Sequence, residues 1–143
     1  DALTIGVANS PASPLLLAAD VSVLLDTGGE LVQGSTRLKA GTSQKVFLSA
    51  FSTTLMVKLG YVYKGLMVNL STSNIKLAKR RLMITQRLTG LPEDKAQELL
   101  NAAQGDNRMA LLMHEKSMSF ETAHKCLTAA KGNVRKALES VSF

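Results

Sequence analysis

The stretch that decides the fold is ALTIGVANSPASPLLLAADVSVLLD, Ala2 to Asp26. Its first part, Ala2 to Asn9, is a short apolar run rich in β-branched side chains, closed by the turn signal Asn9-Ser10-Pro11. SPLLLAAD follows, with Ser13 as N-cap and Pro14 at the first helical position. Val21 to Asp26, VSVLLD, is a second apolar run of strand length. Strand, short helix, strand at this spacing predicts part of a parallel α/β sheet. Two strands are not independently stable, so partner strands are expected from upstream residues or from another chain.

Downstream, Thr27-Gly28-Gly29 forms a loop into GELVQGSTRLKAGTSQK, Gly29 to Lys45. A helix is predicted from about Thr36 to Leu59, with Leu38, Val46, Phe47, Ala50, Phe51, Leu55 and Leu59 at helical spacing and Gly60 as C-cap. The apolar run Val46 to Leu59 contains Lys58 and several hydroxyls. It falls short of the roughly 20 residues a membrane span needs, so it reads as a buried helix. YVYKGLMVNLS, Tyr61 to Ser71, reads as an irregular connection, and a further helix is expected from about Ser73 to Leu88, closed by Gly90.

The last third repeats with a period of 27. AQELLNAAQGDNRMAL, Ala96 to Leu111, aligns with AHKCLTAAKGNVRKAL, Ala123 to Leu138, with eight identities in sixteen positions. Each copy reads helix, Gly C-cap, short turn, helix. The alanines permit close helix crossing. The ending GNV..AL, Gly132 to Leu138, resembles that of ubiquitin-associated three-helix folds.

Composition narrows the chemistry. Cys126 is the only cysteine, and His114 and His124 are the only histidines. An internal disulfide and a thiolate cluster are excluded, and no zinc spacing occurs. Neither a Walker loop nor G-x-G-x-x-G is present. The chain opens on Asp1, with no basic signal region and no initiator Met, which suggests a processed or partial chain. The formal net charge is +6. From Leu31 to Pro92 there is no Asp or Glu but ten cations, Arg37 and Lys39 among them, which favours anionic partners. With only 4% aromatic residues and no recognition motif, nucleic acid is not the expected partner.

The chemistry-bearing candidates lie in the 29–45 stretch. Ser35 and Thr36 stand where the helix should begin, so their hydroxyls either cap it or bind an anion there. Gly34 lets a ligand approach the backbone closely. Lys39 falls on the same helix face. Glu30, the only carboxylate from Thr27 to Pro92, is a candidate general acid or base.

ALTIGVANSPASPLLLAAD, GSTRLKAGTSQK and LGYVYKGLMVNLSTSN resemble the C-terminal half of the N-acetylmuramic acid 6-phosphate etherases, in the sugar-isomerase (SIS) superfamily, relatives of glucokinase regulatory protein. The resemblance implies a three-layer parallel-sheet α/β domain followed by helices. Residues 1–70 would be the C-terminal portion of the sugar-phosphate domain, 71–90 a connecting helix, and 91–143 the helical, ubiquitin-associated-like subdomain. It implies a cytoplasmic, homodimeric lyase of cell-wall recycling that needs no metal or organic cofactor. It places Asn9, Ser13, Ser35, Thr36 and Lys39 on a phosphorylated amino sugar, with Glu30 as an auxiliary acid/base near the sugar ring. The family's phosphate loop and main catalytic glutamates match nothing in this chain, which is therefore expected to be inactive alone. Two other readings stay open: a non-catalytic sugar-phosphate sensor, and a protein-interaction module through residues 91–138.

Overall fold

The computed structural model describes residues 2–70 and 74–140. The expected helix start at Ser73, and the outermost residues of the 1–70, 71–90 and 91–143 divisions, lie outside the described residues. The chain is mixed helix and strand and forms two compact units, Asp1–Thr54 and Leu55–Phe143.

In the first unit, β1 (Ile5–Ala8) and β2 (Val21–Leu24) pair in parallel, Ile5 opposite Val21 and Ala8 opposite Leu24. Helix α1 (Pro14–Ala18) connects them, as the strand–helix–strand pattern predicts. Both ends of the pair are tied by side chains. At one end the Asp20 carboxylate accepts from the Thr4 N–H (2.8 Å) and hydroxyl (2.7 Å), and these donors hold it below the usual carboxylate range. At the other end Asn9 Nδ2 donates to the Leu25 carbonyl at 2.8 Å.

Helix α2 spans Lys39–Lys58, starting three residues later than expected. The expectation that it is a buried helix is not met: none of its residues is buried, and Val46 remains 62% exposed. Apolar side chains lie on nearly all sides of it, among them Val46, Leu48, Phe51 and Val57. Such a helix needs neighbours on more than one side. Among the described residues of 2–54, the other regular elements are a two-stranded sheet and a five-residue helix.

The second unit holds the core. The expected irregular connection after Gly60 is instead a hairpin, β3 (Val62–Tyr63) and β4 (Leu66–Met67), antiparallel, with Val62 opposite Met67. Lys64 (φ 47°) and Gly65 (φ 75°) make its two-residue turn, both in the left-handed region that a type I′ turn demands. Lys-Gly is a weaker signal than Asn-Gly, and two-residue strands carry no alternation to read. Five helices follow. α3 (Ile75–Thr89) is capped by Asn74, and α4 (Glu93–Ala102) begins after Pro92. α5 (Asn107–Glu115) is capped by Asp106, and α6 (Phe120–Ala129) by Ser119. α7 (Val134–Ser140) comes last. Leu111, Leu112, Val68 and Val134 are fully buried, with Ala103, Ala110, Ala123 and Ala137 between them. The small residues let the helices approach closely, as the sequence suggests.

One buried polar network crosses this core. Asn107 Nδ2 donates to the Arg81 carbonyl and to Thr85 Oγ1, each at 2.8 Å, and Thr85 and Asn107 are both buried. Asn107→Ala leaves Thr85 Oγ1 without its donor, whereas the Arg81 carbonyl keeps the Thr85 hydroxyl at 3.2 Å. The substitution is expected to cost about 1–3 kcal/mol, the usual penalty for an unsatisfied buried group. Chemical denaturation checks this, and a loss below about 0.5 kcal/mol would mean that solvent reaches the site.

Candidate functional site

The carboxyl ends of parallel strands are where α/β proteins build ligand crevices. Here those ends lead into Asn9 and, after β2, into Thr27. Asn9 joins the strand ends to α2: its Nδ2 donates to Ser43 Oγ at 2.9 Å, and its Oδ1 accepts from Gln44 Nε2 at 2.7 Å. Ser43 Oγ in turn donates to the Ala40 carbonyl at 2.8 Å. Every polar atom of the Asn9 side chain is thus engaged inside the protein. Its role in this structure is to lock the first turns of α2 against the strand ends.

Beside this lock lies an open hollow of about 570 Å³ lined by Thr27, Leu38, Lys39, Thr42 and Ser43. Lys39 Nζ stands 4.0 Å from the position a Cβ would take on Gly28. That is an ordinary contact distance, and what favours glycine at 28 is its φ of +63°. Lys39 forms no salt bridge among the described residues. Lys39 carries the one charge among these lining residues, beside the hydroxyl residues Thr27, Thr42 and Ser43.

Glu30 does not face the hollow as a free acid. Its Oε2 accepts from the Lys39 N–H at 3.0 Å and its Oε1 from the Ala40 N–H at 2.9 Å. These are the first donors of α2, left unpaired by helix geometry and carrying partial positive charge. The Ala40 and Lys39 N–H groups hold the Glu30 carboxyl below the usual carboxylate range, with a smaller contribution from the Lys39 charge. A lowered pKa means that the carboxylate supports the helix start above the unfolded-state pKa, and that this support fades as pH falls through the folded-state value.

The cap expected of Ser35 and Thr36 is therefore supplied by Glu30. The two residues sit in the turns before α2: the Ser35 carbonyl accepts from the Leu38 N–H and the Thr36 carbonyl from the Gly41 N–H. Neither hydroxyl has a hydrogen-bond partner among the described residues, and neither residue lines the hollow. Ser13 holds the N-cap position of α1, with extended backbone, but its side chain makes no capping bond. Its Oγ is buried without a partner and lies outside the hollow. Of the residues singled out in the sequence, Lys39 lines the hollow, Asn9 reaches it through Ser43, and Glu30 grips the backbone beneath it. Thr27, Thr42, Ser43 and Gln44 were missed. Positions 39, 42 and 43 recur at helical i, i+3, i+4 spacing, a signal that could have shown the last two lining residues.

Among the described residues no helix is long and apolar enough to cross a membrane. No three His, Cys, Asp or Glu side chains gather as a metal site there.

What the fold and the hollow define is an α/β protein with a candidate anion site at the carboxyl ends of its parallel strands. No family model matches the chain. Among curated proteins it is 45% identical over 137 residues to the N-acetylmuramic acid 6-phosphate etherase of Deinococcus radiodurans, covering 96% of this chain and 45% of the relative. It is 42% identical over 142 residues to that of Trichodesmium erythraeum, covering 99% of this chain and 46% of the relative. With that of Thermobifida fusca it shares 47% identity over 111 residues, 78% of this chain and 36% of the relative. The chain belongs to the N-acetylmuramic acid 6-phosphate etherase family. It spans about half the length of the relatives it matches.

Proposed function

We propose that this chain is part of a lyase that cleaves the D-lactyl ether of N-acetylmuramic acid 6-phosphate, giving N-acetylglucosamine 6-phosphate and D-lactate. The observation that carries this reading is the 45% identity to an etherase, running through 96% of the chain and hence through the hollow. Lys39 supplies charge to the sugar phosphate, and Thr27 and Thr42 supply hydroxyls. The ether would be broken by elimination. A carboxylate removes the C2 proton, an acid protonates the departing lactate, and water then adds. The proton-transferring carboxylates belong to the part of the enzyme outside this chain.

The same reading makes residues 1–70 the last portion of an SIS sugar-phosphate domain, 71–90 a connecting helix and 91–143 a helical subdomain. In that subdomain α4–α5 and α6–α7 are two copies of one unit. Support for the copies comes from spacing and backbone: Glu93 to Phe120 and Asn107 to Val134 are both 27 residues. Gln104 and Gly105 (φ 52° and 79°) match Lys131 and Gly132 (φ 53° and 78°). The proposal also takes in a homodimer, a cytoplasmic setting in cell-wall recycling, and a protein partner at residues 91–138.

Lactate release from N-acetylmuramic acid 6-phosphate by the full-length protein is the deciding assay. Turnover is expected. Binding of the sugar phosphate without turnover would instead identify a regulatory protein of the same lineage. In the full-length protein Lys39→Ala is expected to weaken sugar-phosphate binding about 10- to 100-fold, the range for a charge-assisted hydrogen bond. Ser35→Ala removes a hydroxyl that has no partner among the described residues, so any loss of affinity reports the ligand directly. Unchanged binding in both variants would remove this stretch from the phosphate site.

A further inference from the structure

Glu30 is the residue that pattern and resemblance put forward for proton transfer, and its surroundings give it another task. Both carboxylate oxygens are engaged by backbone, on the Lys39 and Ala40 N–H groups at 3.0 and 2.9 Å. The bonds span nine and ten residues, so they close the whole 31–38 segment onto the start of α2. That segment has its own tight turns, with Ser35 N–H on the Val32 carbonyl and Thr36 N–H on the Gly34 carbonyl, each at 3.0 Å. No other carboxylate can take over. The first turn of α2 contains no acid, and none follows Glu30 before Glu93. The nearest one upstream, Asp26, accepts instead from the Gly28 N–H.

The residue whose backbone is gripped is also one whose side chain lines the hollow. Lys39 carries the Glu30-bound N–H and, at its other end, the Nζ beside Gly28. One turn further on, Asn9 holds Ser43 and Gln44. The first two turns of α2 are thereby held at two successive levels. We propose that Glu30 is a positioning residue, which anchors the α2 N-terminus and so aims Lys39 into the hollow, and that it transfers no proton. This rests on the reading of the hollow as the sugar-phosphate site. A proton-transferring carboxylate needs an oxygen free for substrate and a proton affinity matched to the working pH. Two backbone donors stabilise the ionised form and withdraw the group from that role.

The test uses two variants of the full-length protein. Glu30→Gln keeps one acceptor oxygen but loses the charge and the second acceptor. Glu30→Asp keeps acid–base chemistry but is one methylene short of the helix. For a positioning residue, hydrogen exchange at the Lys39 and Ala40 amides accelerates on the order of tenfold in both variants, the scale of a lost helix cap. KM for N-acetylmuramic acid 6-phosphate rises more than kcat falls, and both limbs of the pH–rate profile persist in Glu30→Gln. The proposal is overturned if Glu30→Gln loses more than about 100-fold in kcat and one pH limb, as removal of a general acid or base does. Unchanged amide exchange in Glu30→Gln overturns it as well. If the wild-type protein releases no lactate, the etherase reading fails on that control, and amide exchange alone decides the role of Glu30.

Discussion

Leu111→Ala is expected to destabilise the helical unit by about 3–5 kcal/mol, the upper range for truncating a buried leucine. Leu111 is 1% exposed, in the middle of α5. The cost of such a cavity depends on how far the surroundings can collapse into it. Here they have little room to do so. Ala103, Ala110, Ala123 and Ala137 in the same core are all 0% exposed, so the helix backbones that would have to move are already in close approach. For a unit of this size each kcal/mol shifts Tm by about 4–8 °C, so a drop of more than 10 °C should be seen. Leu111→Met conserves volume and should cost less than about 1.5 kcal/mol. If the alanine variant loses no more than the methionine one, the core is not packed around Leu111 as described.

Gly60→Ala is the second large effect, at about 2–5 kcal/mol. Gly60 ends α2 with φ +80°, where an L side chain is strained by about 1–2 kcal/mol. Its added Cβ would also fall 2.3 Å from Asn133 Cγ and 2.6 Å from Asn133 Cα. Asn133 cannot readily withdraw. Its N–H is bonded to the Ala130 carbonyl at 3.1 Å, and its Oδ1 accepts from the Lys136 N–H at 3.2 Å. Forcing a methyl into such a contact typically adds 1–3 kcal/mol. Gly90 separates the two contributions. Its φ is +73°, yet nothing lies within 4 Å of where its Cβ would stand. Gly90→Ala should therefore show the conformational cost alone. Equal losses in the two variants, read by urea denaturation, would rule out the Gly60–Asn133 contact.

The candidate site lies in the short region where the strands end and α2 begins. Lys39 could be singled out because it falls three or four residues after Ser35 and Thr36, on the same helix face. Ser35 and Thr36 were equally visible, yet neither lines the hollow, because α2 starts at Lys39 and leaves them in the preceding turns. The difference of three residues decides which side chains share a face with Lys39. Helix starts are set by whichever acceptor satisfies the first N–H groups, and that acceptor came from nine residues upstream. Local pattern cannot show such a partner.

By itself the sequence determined the elements whose causes are local. The parallel strand–helix–strand follows from two apolar runs, a Ser-Pro helix start and a turn signal. The last four helices follow from their caps and their glycine connectors. Family membership was equally legible, since it resides in residue identity. Only the tertiary structure decided what each polar side chain is for. Asn9 bonds to Ser43 and Gln44 of α2, Glu30 accepts from the first N–H groups of that helix, and Lys64-Gly65 form an ordered turn where an irregular connection was expected. Each of these depends on a hydrogen bond between residues distant in sequence or on a backbone angle outside the common range. Apolar periodicity records neither, because it reports which face is buried and not which donor meets which acceptor.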